Sequence, residues 1–343
     1  MTTLTARPQS QEDSRVATRE LTYVKAYNEG LAQMMRENDD VFVIGEDVAG
    51  YGGVFHMYDG LLKEFGNRRM IDTPISEAAI VGLGVGAASR GLRPVVDIMF
   101  MDFLAVCLDQ VVNQAAKMKF MFGGDVRVPL VITVASGAGL GAGAQHSQSL
   151  EAWLAHTPGL KVAMPSSAYD AKGLMVTAVR DDNPVIMMLN KKLLGAKGVV
   201  PEEAYAIPFG QAATLREGTD VTVVALGRMA VEAAAAADTL AADGISVEVL
   251  DPRTVQPFDT DSVVASARKT NRVLVVHEAV TFGGLGAEIA AQVQDAAFDH
   301  LDAPVMRVGA PFAPVPFSPS LENAYVPDRV SIAAGCRRLL ERG

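Results

Sequence analysis

The sequence predicts an α/β protein with two doubly wound domains and mainly parallel sheets. In both halves of the chain, short apolar runs such as Val41–Ile44 and Val221–Leu226 alternate with stretches of helical periodicity. Runs that are apolar at almost every position are typical of parallel strands buried on both faces. A length of 343 residues favours two domains, because a domain averages about 150 residues. We therefore predict one domain over 19–195, a linker rich in proline and glycine over 196–210, and a second domain over 211–343.

The predicted elements alternate along the whole chain, beginning with a helix over residues 22–36 that has one apolar face. In the first domain, the predicted strands are 41–44, 94–100, 130–134, 162–165 and 185–189, and the later helices are 78–88, 102–119 and 169–180. In the second domain, the predicted strands are 221–226, 247–250, 273–276 and 305–308, and the helices are 231–242 and 284–298. Residues 1–18 are polar and contain no apolar core of a signal peptide, so they predict a disordered N-terminal arm.

Composition excludes several classes of function. A net charge of −10 argues against a nucleic-acid-binding surface. The longest uncharged apolar run, Ala78–Ala88, is well short of the ~20 residues that a membrane span requires. Cys107 and Cys336 are far apart and lack the spacing of metal ligands. They predict buried thiols in a reducing compartment, and we expect a cytoplasmic protein.

The stretch Met70–Glu77 has the strongest local signal for a site. Pro74 disfavours helix before it, Ser76 is a plausible N-cap, and Glu77 then lies in the first helical turn. The following run, 78–88, contains three glycines, each costing about 1 kcal/mol relative to alanine, which suggests close approach by another backbone or a ligand. Two interpretations remain open: Glu77 is a structural charge over a buried helix, or it hydrogen-bonds a cofactor nitrogen.

The same glycines loosely fit a dinucleotide-binding fingerprint, Gly82-x-Gly84-x-x-Ala87. That motif requires a strand directly before the first glycine, with the glycines in the turn. Here the glycines lie inside the predicted helix. We therefore reject a nicotinamide dinucleotide site.

Other candidate residues follow strand ends or precede helices. Glu46 comes directly after the strand at 41–44, where open α/β sheets bind ligands, although a surface turn would look the same. His146 follows a loop with glycines at alternate positions from 137 to 143 and is the natural acid or base; the alternative is a hydrogen bond that fixes the loop. Phe103 suits either the core or a stacking platform.

Several motifs in order resemble one known family. They are GEDV at 45–48 with YGGVF at 51–55, DTPISE at 72–77, DQVVNQAAK at 109–117, QHSQSLE at 145–151 and PGLKV at 158–162. The series resembles the beta subunit of the thiamine-diphosphate-dependent, decarboxylating first component of 2-oxoacid dehydrogenase complexes, pyruvate-type or branched-chain. It also resembles the beta subunits of acetoin dehydrogenases. The resemblance extends from about Arg19 to the C-terminus and implies a pyrimidine-binding domain followed by a transketolase C-terminal domain.

The resemblance implies roles for individual residues. Glu77 matches the glutamate that hydrogen-bonds N1′ of the cofactor pyrimidine and so favours the imino tautomer that acts as base. Phe103 matches the aromatic residue packed against that ring, Ile75 lies beside the ring, and Glu46 matches an acid near the cofactor. His146 matches the histidine implicated in proton transfer and in acyl transfer to lipoyl.

The resemblance also implies ions and partners. A potassium site in some relatives matches positions Leu130, Val131, Ala178, Asp181 and Asn183. The sequence contains no Gly-Asp-Gly…Asn pattern for magnesium and the diphosphate, which the family places on a separate alpha subunit. The chain is thus expected to be inactive alone, to form an α2β2 heterotetramer and to serve a lipoyl-bearing acyltransferase.

The function this implies is oxidative decarboxylation of a 2-oxoacid by a pyruvate dehydrogenase-like complex. Two alternatives remain: a beta subunit of acetoin dehydrogenase, and a non-catalytic assembly relative of the same fold. The presence of Glu77, Phe103 and His146 favours an enzyme.

Overall fold

The computed structural model describes residues 18–342, which form two compact units. Unit 1 contains residues 18–136 and 154–209, and unit 2 contains residues 137–153 and 210–342. The glycine-rich segment 137–153, which we expected within a continuous first domain, thus groups with unit 2. The predicted N-terminal arm, 1–18, lies outside the described residues except for Thr18.

Unit 1 is built on a parallel sheet with the strand order β6-β7-β5-β4-β2-β3. Every residue of β2, β5 and β7 is buried, which is why these runs are mainly apolar. The strands are β1 (Thr18–Thr22), β2 (Val41–Gly45), β3 (Met70–Asp72), β4 (Arg93–Phe100), β5 (Val131–Ser136), β6 (Lys161–Ala163), β7 (Val185–Asn190) and β8 (Lys197–Pro201). The helices are α1 (Tyr23–Glu37), α2 (Leu61–Phe65), α3 (Glu77–Ser89), α4 (Ala116–Met121), α5 (Glu151–Ala155, across the two units) and α6 (Ala168–Arg180).

The segment predicted as a linker, 196–210, contains a strand. Its residues Lys197–Pro201 form β8, which pairs antiparallel with β1. The buried ammonium of Lys172 donates to Glu29 Oε1 at 2.6 Å and to the carbonyl of Pro201 at 2.7 Å. These contacts attach the end of β8 to helix α6, so this part of the segment belongs to unit 1.

Unit 2 contains a second sheet, in the order β14-β13-β10-β11-β9. Its central pairs are parallel, and β9 is an antiparallel edge strand. The strands within unit 2 are β9 (Ala213–Arg216), β10 (Val221–Ala225), β11 (Val247–Asp251), β12 (Thr254–Gln256), β13 (Val273–Val280) and β14 (Met306–Ala310). Its helices are α7 (Arg228–Ala242), α8 (Thr260–Thr270), α9 (Leu285–Ala297), α10 (Pro319–Tyr325) and α11 (Arg329–Leu340). The two mainly parallel sheets confirm the predicted fold class.

Helix α3 is buried on one side and exposed on the other. Leu83 is 51% exposed, and Ala79 and Gly86 lie on the same exposed face. Only Gly84 shows the predicted close approach, because a Cβ there would lie 2.7 Å from Val96 Cγ2. That neighbour is a side chain of the sheet and not a backbone or a ligand. A Cβ on Gly86 would meet no atom within 4 Å.

The predicted helix over 102–119 is divided into three types of turn. Residues Met101–Cys107 form a 3₁₀-helix, Asp109–Ala115 form a π-helix, and α4 follows. Periodicity places the apolar side chains correctly but does not distinguish these hydrogen-bonding patterns, because the backbone hydrogen bonds of the three helix types differ in span by only one residue. Within residues 18–342, no helix combines the length and apolarity needed to cross a bilayer.

Candidate active site

Glu77 begins helix α3 and is the acidic residue of its first turn. Ser76 occupies the N-cap position as predicted, but its hydroxyl donates to the carbonyl of Pro74 at 3.2 Å and makes no capping bond. The buried hydroxyl of Thr73 has no hydrogen-bond partner among the described residues. This helix start therefore presents a carboxylate and an unsatisfied hydroxyl within five residues of one another.

Glu46 lies close enough to Glu77 for the two carboxylates to interact. Burial, the charge of Asp47 and the charge of Glu77 together raise the pKa of Glu46. The loop that carries Glu46 is held by Asp72, whose two carboxylate oxygens accept the backbone N–H groups of Ala49 at 2.7 Å and Gly50 at 2.9 Å. Asp72 is thus a positioning residue that joins the DTPISE motif to the loop after β2.

Three phenylalanines of unit 1 form an aromatic group. Phe100 lies edge-on to Phe55 and to Phe103, with ring centroids 5.6 Å apart in both pairs. The buried ammonium of Lys191 lies 5.2 Å from the centroid of the Phe100 ring. Phe103 is half-buried, so its ring is neither enclosed in the core nor fully open to solvent. Ile75 is 73% exposed and leaves an apolar surface in front of helix α3.

A buried pair, Asp97 and Tyr58, supports this region from within the sheet. The Tyr58 hydroxyl donates to Asp97 Oδ2 at 2.5 Å, and the backbone N–H of Met99 donates to Asp97 Oδ1 at 2.6 Å. Met99 has a left-handed φ of 52°, and the register between β4 and β5 shifts here. Burial raises the pKa of Asp97 to about 6, with a smaller contribution from the charge of Glu46. Asp97 therefore fixes the bulge from which Phe100 and Phe103 emerge.

His146 lies in unit 2, on the segment that leaves the glycine-rich run. It is half-buried, and its backbone N–H donates to the carbonyl of Gly143 at 3.4 Å. A cavity of about 350 Å³ opens beside this segment. Residues on either side of His146 line the cavity, which is mostly apolar; its lining includes Ala144, Ser147, Gln148, Glu278, Phe312 and Tyr325.

Two acids lie buried near this cavity. Glu151 is 1% exposed, and its Oε2 has no hydrogen-bond partner among the described residues. Burial raises the pKa of Glu151 to about 7, and the charge of Glu278 adds to the effect. Glu278 lies inside strand β13 with His277, because β13 extends beyond the predicted strand 273–276. Burial lowers the pKa of His277 to about 4, so this ring is neutral at pH 7.

Comparison with known proteins identifies the fold and the family. The transketolase pyrimidine-binding domain family matches residues 19–197, and the transketolase C-terminal domain family matches residues 210–332. The acetoin:2,6-dichlorophenolindophenol oxidoreductase beta subunit of Cupriavidus necator is 45% identical over 95% of this chain and 99% of its own length. The chain belongs to this family of transketolase-like dehydrogenase beta subunits. The pyruvate dehydrogenase E1 beta subunit of Rickettsia felis is 44% identical over 93% of this chain and 98% of its own.

A solved structure agrees with the fold of these beta subunits. It is described as a split gene transketolase, an inactive beta4 tetramer, and superposes with a TM-score of 0.75 at 24% identity. It covers 94% of this chain and 99% of its own. The likeness confirms two transketolase-like domains and the fold class predicted from sequence.

The residues predicted for cofactor binding and for catalysis in this beta subunit lie in two groups. Glu46, Ile75, Glu77 and Phe103 are in unit 1, and His146 is in unit 2. Sequence reasoning missed Asp97 and Tyr58 as supports of the first group. A signal was present, since Asp97 interrupts an otherwise apolar strand, 94–100, and a charge at such a position requires a buried partner.

The residues matched to a potassium site also come together. Leu130 and Val131 lie where β5 begins, and the other three positions, Ala178, Asp181 and Asn183, lie around the end of α6. The carbonyl of Leu130 accepts a hydrogen bond from the N–H of Val185 at 2.8 Å. The carbonyl of Asp181 accepts from Arg93 Nη1 at 2.9 Å. Carbonyl oxygens have a second lone pair, and the guanidinium of Arg93 places a positive charge beside the carbonyl of Asp181. Among residues 18–342, no cluster of three His, Cys, Asp or Glu side chains suits a metal ion.

Proposed function

We propose that this chain is the beta subunit of a thiamine-diphosphate-dependent, pyruvate dehydrogenase-like enzyme that oxidatively decarboxylates a 2-oxoacid and transfers the acyl group to lipoyl. The observation that carries the proposal is the pairing of Glu77, in the first turn of α3, with Glu46, whose pKa the charge of Glu77 helps to raise. Full-length similarity to named dehydrogenase beta subunits supports it.

The residues of unit 1 fit the pyrimidine half of the cofactor. Thiamine diphosphate, when bound, supplies the carbon nucleophile that attacks the substrate carbonyl. The carboxylate of Glu77 would accept a hydrogen bond from the pyrimidine N1′ and hold the proton there. Phe103 and the exposed side chain of Ile75 would pack against the ring, and Glu46 would lie nearby. The unsatisfied hydroxyl of Thr73 offers a further polar contact.

The rest of the site belongs to partners in this proposal. Magnesium and the diphosphate are held by an alpha subunit in an α2β2 heterotetramer, and the acyl acceptor is lipoyl on an acyltransferase component. Potassium is bound by the carbonyls around Leu130 and Asp181. The cytoplasm remains the expected compartment.

Acetoin dehydrogenase is the second candidate function, because the acetoin-type relative is 45% identical and the pyruvate-type relative 44%. Co-expression with an alpha subunit that carries the diphosphate-binding motif, followed by reduction of an artificial electron acceptor, separates the candidates. We expect turnover with one substrate class among pyruvate, branched-chain 2-oxoacids and acetoin. No turnover with any of them would favour the non-catalytic assembly relative.

The role of Glu77 is tested by two substitutions in that complex. Glu77→Gln keeps the size of the side chain but cannot favour the imino tautomer as a carboxylate does, so we expect assembly without activity. Glu77→Asp keeps the charge at the helix N-terminus but shortens the reach by one methylene. If Glu77 is only a structural charge, Glu77→Asp keeps both stability and activity. Activity of Glu77→Gln within a few-fold of wild type would contradict the proposal.

His146 is assigned to acyl transfer in this proposal. His146→Ala should still assemble and reduce the artificial acceptor, while reductive acylation of lipoyl falls by ~10²-fold or more, a usual share for one acid or base group. Equal losses in both half-reactions, together with lower thermal stability, would instead assign His146 to fixing the loop.

A further inference from the structure

Two buried carboxylates of unit 2 accept hydrogen bonds from the backbone of the segment that precedes His146. Glu322, on helix α10, accepts the N–H of Gly139 at 2.7 Å through Oε1 and the N–H of Gly141 at 2.9 Å through Oε2. Glu278 accepts the N–H of Ala138 at 2.6 Å. Both oxygens of Glu322 are thus used by one short stretch of backbone.

The glycines make this arrangement possible. Gly139 has a φ of 102° and Gly141 a φ of 66°, in the left-handed region that residues with a Cβ avoid. Alternation of this conformation turns nearby N–H groups toward one point, as in the backbone concavities that bind anions. Here the anion is the protein's own carboxylate.

Glu322 is held by hydrogen bonds from the backbone. It is 2% exposed, and both of its carboxylate oxygens accept backbone N–H groups. A buried carboxylate requires compensation, and charge-assisted bonds from two amides supply it. The segment and the carboxylate therefore stabilise each other, and the loss of either should release the other.

We propose that Glu322 is a positioning residue that fixes the conformation of the segment 137–146 and thereby the position of His146. His146 is tied to the same turn through Gly143, and the next residue, Ser147, is buried in the cavity wall. A change at 139–141 is thus transmitted along a few residues to the imidazole. The catalytic part of this inference rests on the proposed role of His146 in acyl transfer.

Hydrogen exchange on the assembled enzyme tests the positioning directly. In Glu322→Gln the amide offers one acceptor and one donor, so one of the two glycine N–H groups loses its partner. We expect exchange in 137–146 to accelerate about tenfold or more, while β10 and β13 stay protected. Gly141→Ala, which strains the same turn and whose Cβ would lie 3.7 Å from the carbonyl oxygen of Phe317, should produce the same local change. Unchanged exchange in both variants would overturn the proposal.

A matched control separates positioning from a general loss of stability. Glu248 is another buried glutamate of unit 2, paired with Lys269. Glu248→Gln should lower thermal stability without accelerating exchange in 137–146 and without changing the ratio of the two half-reactions. If the control changes that ratio as much as Glu322→Gln does, Glu322 is only structural and the proposal fails.

A double-mutant cycle then tests the link to His146. We expect Glu322→Gln to reduce reductive acylation about tenfold with little effect on artificial-acceptor reduction, and to have almost no further effect in His146→Ala. If the losses of reductive acylation in the two single variants multiply in the double variant, Glu322 does not act through His146. If His146→Ala alone leaves acylation unchanged, the proposed acyl-transfer role fails, and hydrogen exchange still decides whether Glu322 fixes the segment.

Discussion

Replacement of Glu151 by glutamine should remove a pH dependence of stability that arises from one buried carboxyl. Glu151 is 1% exposed, and burial next to Glu278 raises its pKa from 4.5 to about 7. Between these pH values the folded protein holds a proton that the unfolded chain releases. The stabilisation is fully present below pH 4.5 and is lost as the pH rises through about 7.

The size of the effect follows from the same two values. A difference from 4.5 to about 7 corresponds to about 3 kcal/mol of unfolding free energy, at 1.36 kcal/mol for each pH unit. We expect the unfolding free energy of the wild-type chain to fall by about this amount relative to Glu151→Gln between pH 4.5 and pH 7.5. Other titrating groups, such as Asp97, are common to both proteins and largely cancel in the difference.

Urea unfolding of the purified full-length chain at several pH values measures this difference. The observable is how the difference in unfolding free energy between the two proteins changes with pH. The size of the difference at a single pH is less informative, because a glutamine amide in the same pocket lacks a partner and adds a constant penalty of about 1–3 kcal/mol. The exposed Glu203 provides the control, and Glu203→Gln should run parallel to wild type. Parallel curves for Glu151→Gln would refute the argument that burial keeps this carboxyl protonated.

Three further predictions concern the cofactor, packing and the cation. The isolated chain should bind thiamine diphosphate poorly in calorimetry, because the magnesium and diphosphate half lies on the alpha subunit; magnesium-dependent micromolar binding would contradict this. Gly84→Ala should lower the stability of the folded chain by about 1–3 kcal/mol, because the added Cβ would lie 2.7 Å from Val96. Gly86→Ala, where the added Cβ meets open space, should raise the stability by about 0.5–1 kcal/mol. Thermal unfolding compares the two variants, and equal effects would refute the packing argument. Potassium should raise the melting temperature above that in sodium; equal melting temperatures would exclude the cation site.

The positions of individual contacts in unit 1 were only partly readable from the sequence. Glu77 was identifiable because Pro74 and Ser76 are local signals for where a helix begins. The role of Asp72 was not, since its partners, the N–H groups of Ala49 and Gly50, lie more than twenty residues away along the chain. Backbone donors leave no mark on side-chain identity, and so no sequence pattern announces them.

The turn types within 101–121 were not readable either. Apolar spacing predicted a helix there, and helical turns of three kinds were found. The chain enters this stretch from β4, whose register against β5 shifts between Asp97 and Phe100. That shift is a tertiary effect, because it depends on the Tyr58 hydroxyl that reaches Asp97 from another segment.

The sequence by itself determined the two α/β folds, the approximate elements and the family, because buried parallel strands and helix starts are encoded by residues adjacent in the chain. Only the tertiary structure decided that residues 137–153 belong with unit 2 and that Glu322 holds Gly139 and Gly141. The physical reason is distance along the chain. A left-handed glycine run is compatible with many loops, and it acquires one conformation only when a carboxylate some 180 residues later accepts its amides.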